Sequence, residues 1–175
     1  MTGVQTCALP IYGEALKRHS HYVPAYVNQA DMYRELSREG DAERVLVSGI
    51  AALPDDASLQ YALGLLLVRD QRMEKALAAL RTAYRLEPED PQFGYVYGVA
   101  LDSTGATSQA LDVWKQVVER HPNDRAALQA LAGVLYKQGE YKQARIFAKQ
   151  LSALIPGDRS AAQLIDSIEA ASHGH

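Results

Sequence analysis

Three residue types recur along this chain with a single period. Proline stands at Pro54, Pro88, Pro122 and Pro156, alanine at Ala42, Ala76, Ala110 and Ala144, and aspartate at Asp56, Asp90, Asp124 and Asp158. Each ladder steps by 34 residues. A fixed period of that length means copies of one supersecondary unit, each burying its apolar face against the next. Within every period the apolar residues fall three and four apart in two segments, which is the pattern of two amphipathic helices. Clear strand patterns are absent. The spacing predicts helices over 24–37, 41–53, 57–70, 73–87, 91–104, 107–120, 125–138 and 141–154, with one more over 160–171.

Each recurring residue has a physical task in that scheme. Small side chains at the alanine ladder let two antiparallel helices approach closely. The proline falls just past the second helix and stops it. The aspartate is placed to cap the helix that follows, accepting its free N–H groups and complementing its dipole. Pro91 follows Asp90 at a first helical position, where its missing N–H costs nothing. Gly105 and Gly139 fall at the bend between paired helices, where a positive φ is useful. Gly40 is expected to play the same part three residues later in its own period.

Set out in blocks 23–56, 57–90, 91–124 and 125–158, these residues resemble the tetratricopeptide repeat (TPR) family. The second block carries Leu63, Gly64, Leu67, Ala76, Leu80, Ala83 and Pro88 at the family's positions. The third carries Tyr97, Gly98, Leu101, Ala110, Trp114, Val117 and Pro122, and the fourth Leu128, Leu131, Ala132, Leu135, Ala144, Ala148, Leu151 and Pro156. The first block matches at Tyr26, Ala30, Tyr33, Ala42, Leu46 and Pro54 but departs at Gln29 and Gly49. The resemblance implies an all-α fold: a right-handed solenoid of antiparallel helix pairs, the TPR superhelix. Residues 12–22 are then the remnant of a truncated preceding repeat, and 159–175 a C-terminal capping helix with a frayed tail.

Residues 1–11, MTGVQTCALPI, resemble instead an in-frame translation of a sequencing-adapter oligonucleotide. They lack the basic leader and long apolar stretch of a signal peptide. They are set aside from fold reasoning, and the chain is expected to be an N-terminally truncated fragment. Its compartment stays open, with cytoplasm and periplasm both compatible. On this reading Cys7, the sole cysteine, is not part of the natural protein.

Composition excludes several classes of function. The net charge of −3 and pI near 5.9 give no general attraction to nucleic acid or anionic membrane. Apolar runs fall short of the roughly 20 residues that membrane insertion requires. One cysteine cannot supply a disulfide within the chain or a CxxCH haem site. The five histidines, His19, His21, His121, His173 and His175, form no ligand spacing stronger than the His-Gly-His end. The carboxylate pairs Asp55–Asp56 and Glu89–Asp90 recur at inter-repeat turns, where capping explains them better than acid–base catalysis. No catalytic residue, metal or cofactor is assigned, and the chain is not expected to be an enzyme.

What remains is the groove. The resemblance implies that first-helix residues line a concave surface for a protein or peptide partner. By register these are Val27, Asp31 and Arg34 in the first block, and Tyr61, Leu65 and Val68 in the second. Tyr95, Val99 and Asp102 follow in the third block, and Gln129 and Tyr136 in the fourth. Tyrosines on such a face either recognise a ligand or pack between repeats, and both readings stand. The slots in which some TPR co-chaperones hold a carboxylate clamp contain no cation here, which argues against that specificity. The chain is therefore read as a protein–protein interaction scaffold that docks a peptide or helix. Self-association through the truncated N-terminal end is a further expected contact. The alternative draws on a similarity of the region following Val23 to TPR segments C-terminal to bacterial multihaem cytochrome c domains. On that reading the chain is the appendage of a larger redox protein.

Overall fold

The computed structural model describes Tyr12, Glu14, Leu16 and residues 20–154 and 157–173. The adapter-like segment, Cys7, His19, Pro156 and His175 lie outside the described residues. Among those described there are nine helices and no strand. They are α1 (Val23–Glu35), α2 (Glu39–Ala52), α3 (Ala57–Arg69), α4 (Met73–Leu86), α5 (Pro91–Ser103), α6 (Thr107–Arg120), α7 (Arg125–Lys137), α8 (Tyr141–Leu154) and α9 (Arg159–His173). Each end lies within two residues of the helix expected from the spacing. The fold is the all-α tetratricopeptide one, and the chain divides into two compact units, one up to Pro88 and one from Glu89.

The first unit contains the hairpins α1–α2 and α3–α4. Ala42 and Ala76 are fully buried where paired helices meet, as are Leu46 and Leu80 one turn later. Gly64 touches Leu80 so closely that a Cβ there would lie 2.6 Å from the leucine side chain. The two departures of the first block, Gln29 and Gly49, are both buried. Gly49 gives up its side chain to the ring of Tyr26, whose Cγ would meet an added Cβ at 2.9 Å. Gln29 is the one buried polar side chain of the described core. Arg72, just before α4, reaches back to Glu43 of α2 and donates two hydrogen bonds at 2.6 and 2.9 Å. Those bonds hold the Glu43 carboxyl below its ordinary range.

The second unit contains α5–α6, α7–α8 and α9. Trp114 is 2% exposed. The structure lays its indole against Gly98 of its own hairpin, where a Cβ would fall 2.2 Å from Nε1. The indole N–H donates to the Tyr95 carbonyl at 3.1 Å. In α9, Ala161 and Ile168 are buried while Asp166 is exposed, so the helix covers α8 with one face and meets water with the other.

The aspartate ladder caps as expected. Asp56 accepts the Leu59 N–H at 2.9 Å, Asp90 the Gln92 N–H at 2.8 Å, Asp124 the Ala127 N–H at 2.8 Å and Asp158 the Ser160 N–H at 2.9 Å. The bend glycines Gly105 and Gly139 do take positive φ, 84° and 79°. Gly40 does not: it lies inside α2, and the bends of the first two hairpins are turned by Ser37 and Gln71, at φ 56° and 58°. The bend thus occupies the same register in every hairpin, and a non-glycine residue accepts the left-handed conformation in two of them.

Candidate interaction site

In the first unit, α1 and α3 are the first helices of consecutive hairpins. Between them small side chains (Ala30, Ser58, Ala62) leave space that longer ones would fill, and the result is a cleft of about 210 Å³. Val27, Tyr61 and Leu65 also line it, with Leu46 and Leu66 from the core behind. Its surface is mostly apolar. Leu65 is 41% exposed, a large aliphatic side chain left in water beside an apolar cleft. An apolar cavity of roughly 150 Å³ already admits a benzene ring, so this one has room for a single large aliphatic or aromatic side chain.

Charge enters the cleft through one pair. Asp31 and Arg34, a turn apart on α1, both line it and form an ion pair at 3.0 Å. The pair uses a terminal guanidinium nitrogen of Arg34. Its Nε is buried and has no hydrogen-bond acceptor among the described residues. A buried donor without a partner is unfavourable.

Five of the residues assigned by register therefore line one cleft: Val27, Asp31, Arg34, Tyr61 and Leu65. The others have different surroundings. Val68 is half-buried and packs against the core of the first unit. In the second unit, Tyr95 is half-buried and its carbonyl is engaged by Trp114. The Asp102 carboxylate accepts the Thr107 hydroxyl at 2.8 Å, tying α5 to the start of α6. The Tyr136 ring lies 5.9 Å from that of Tyr141 in a tilted pair. Val99 and Gln129 are exposed. Sequence reasoning left out Ala30 and Ala62, whose contribution to the cleft is their smallness. The signal was present, since Ala30 holds a position where the pattern calls for a small residue.

No group of three or more His, Cys, Asp or Glu among the described residues is arranged to hold a metal ion. No described helix is long and apolar enough to cross a membrane.

Comparison with known proteins gives three results. The family model for the TPR domain of cytochrome c-type biogenesis protein H matches residues 45–162. No curated protein matches the chain. Solved structures are similar in fold at low identity. The structure titled as a functional characterisation of Pseudomonas aeruginosa pilF has a TM-score of 0.75 at 18% identity, covering 98% of this chain and 83% of that one. YrrB, described as a TPR protein with an unusual peptide-binding site, has a TM-score of 0.71 at 22% identity, covering 91% and 82%. MamA has a TM-score of 0.67 at 18% identity, covering 98% and 91%.

Proposed function

Since the chain belongs to the family of the TPR domain of cytochrome c-type biogenesis protein H, we propose that it is a protein-interaction scaffold serving the assembly of c-type cytochromes. The cleft between α1 and α3 is its docking point for a segment of a protein partner. One apolar side chain of that segment enters beside Tyr61 and Leu65, and a neighbouring carbonyl or carboxylate accepts from Arg34. The observation that carries this reading is the cleft itself: about 210 Å³, mostly apolar, with the charged pair Asp31 and Arg34 in its lining. An anchor of this kind concentrates binding energy in few residues. The partner is a peptide or helix, in keeping with the fold and with the peptide-binding site ascribed to YrrB.

The test is titration of the full chain with synthetic peptides tiled across a c-type apocytochrome. Tyr61→Ala and Leu65→Ala are each expected to weaken the binding peptide by about 1–3 kcal/mol. Arg81→Ala, exposed on α4, serves as control and should leave affinity unchanged. If a peptide binds the two cleft variants as well as it binds the wild type, the cleft is not the docking point. If no apocytochrome peptide binds, the assembly role fails.

A further inference from the structure

The fourth hairpin departs from the others on its outer face. Residues 141–157 contain three cations, Lys142, Arg145 and Lys149, and no carboxylate, in a chain whose net charge is −3. The cations are three and four residues apart, so they form one stripe along α8. All three are exposed, and none makes an ion pair among the described residues. Ile146 lies in the same stripe and is 58% exposed. The repeat frame does not require Lys142, Arg145 or Ile146. One period earlier, Ser108, Leu111 and Asp112 stand in the places of Lys142, Arg145 and Ile146, while the place of Lys149 is already basic at Lys115.

Beside the stripe the first half of α8 and the last half of α9 leave a cleft of about 480 Å³. Tyr141, Ile146 and Ile168 give it an apolar surface, Lys142 and Arg145 bring positive charge, and Ser172 adds a hydroxyl. No carboxylate is among these lining residues. The acids nearest in sequence are Glu140 before α8, and Asp166 and Glu169 on α9.

We propose that this α8–α9 face is a second docking surface, which takes an acidic amphipathic helix of a protein partner. The apolar face of that helix covers Ile146 and fills the cleft, and its carboxylates pair with Lys142, Arg145 and Lys149. A helix fits because its own charges, spaced three and four apart, match the spacing on α8. The attraction is local: the molecule as a whole repels anions weakly, so the stripe directs an acidic partner to this face. The inference is independent of the α1–α3 cleft, which lies in the other unit.

The experiment uses the full chain and a fluorescent synthetic helix with leucines along one face and glutamates flanking them. Its glutamine-for-glutamate counterpart and phosphatidylserine vesicles are tested in parallel. Binding is read by anisotropy, and its location by amide shifts in the NMR spectrum. The acidic helix should bind and shift α8 and α9 amides. Lys142→Glu with Arg145→Glu should weaken it about tenfold or more, and Ile146→Ser should weaken it independently. These positions are exposed, so the variants should fold as the wild type does. Tyr61→Ala should leave this binding unchanged, which separates it from the α1–α3 cleft. Equal affinity for the glutamine helix, or for the double variant, overturns the proposal. So does binding to the vesicles without binding to the peptide, or a self-associated chain that the double variant dissociates.

Discussion

Gly98 and Trp114 bring α5 and α6 into close approach. The indole is buried and tethered by its hydrogen bond to Tyr95, so it cannot move aside for a methyl group whose Cβ would lie 2.2 Å away. Gly98→Ala should therefore cost about 1–3 kcal/mol by overpacking, and Trp114→Ala about 3–5 kcal/mol by leaving a cavity. The double variant should cost less than the two together, because the methyl then partly fills the space the indole leaves. Urea denaturation of the three variants measures this, and strict additivity would mean the two side chains do not meet. Glu43 and Arg72 give a second residue-scale test. The Glu43 carboxyl is held below its ordinary 4.5, first by its hydrogen bonds from Arg72. A carboxyl whose folded pKa is lowered stabilises the fold above its unfolded pKa and loses that contribution as pH falls through the folded one. Glu43→Gln should thus melt below the wild type at neutral pH, and the gap should close as the pH is taken down past 4.5. Both side chains are partly exposed, so the gap is small and should also shrink in salt.

At the scale of the helix, the ends carry the specific information. Asp56 and Asp124 each accept an N–H of the following first turn, and Asp56→Ala or Asp124→Ala should each cost about 1 kcal/mol in thermal or denaturant melts. The bends predict effects of opposite sign. Ser37 and Gln71 adopt a left-handed conformation that side chains disfavour by roughly 1–2 kcal/mol. Ser37→Gly and Gln71→Gly should therefore stabilise, by about 0.5–1 kcal/mol once glycine's greater unfolded entropy is allowed for. Gly105→Ala should destabilise. Equal signs for the two kinds of substitution would contradict the backbone geometry. These positions also mark how far the sequence could be read. The aspartates advertise their role because an oxygen at that offset from a helix start has one evident use. Ser37 and Gln71 advertise nothing: their conformation is imposed by the helices on either side, and the nearby Gly40 drew attention to the wrong residue. Val68 is a similar case. Positions at the border between the core and the open face of a helix differ by one step of rotation, which register alone does not resolve.

For the whole chain, period and fold were legible because they depend on a pattern repeated several times. The clefts were less so, since each exists in one place and arises from what neighbouring side chains leave unfilled: around Ala30, Ser58 and Ala62 in one unit, and between α8 and α9 in the other. Within each unit, paired helices pack more closely on each other than on the adjacent hairpin. Stability in such an array is a sum of local contributions, so damage should stay near its source. In Gly98→Ala, hydrogen exchange should accelerate most across α5 and α6 and least in α1 and α2. Uniform loss of protection would show the array unfolding as one block. Trp114 bears on how such unfolding is watched. It is the chain's one tryptophan, an indole fluorophore on α6 shielded from water within the second unit. Emission excited selectively at tryptophan is therefore a local reporter: it reads the opening of the second unit around α6 and receives no signal from the first unit, whose helices contribute to the far-ultraviolet circular dichroism. Melts followed by the two spectroscopies should coincide only if both units open together.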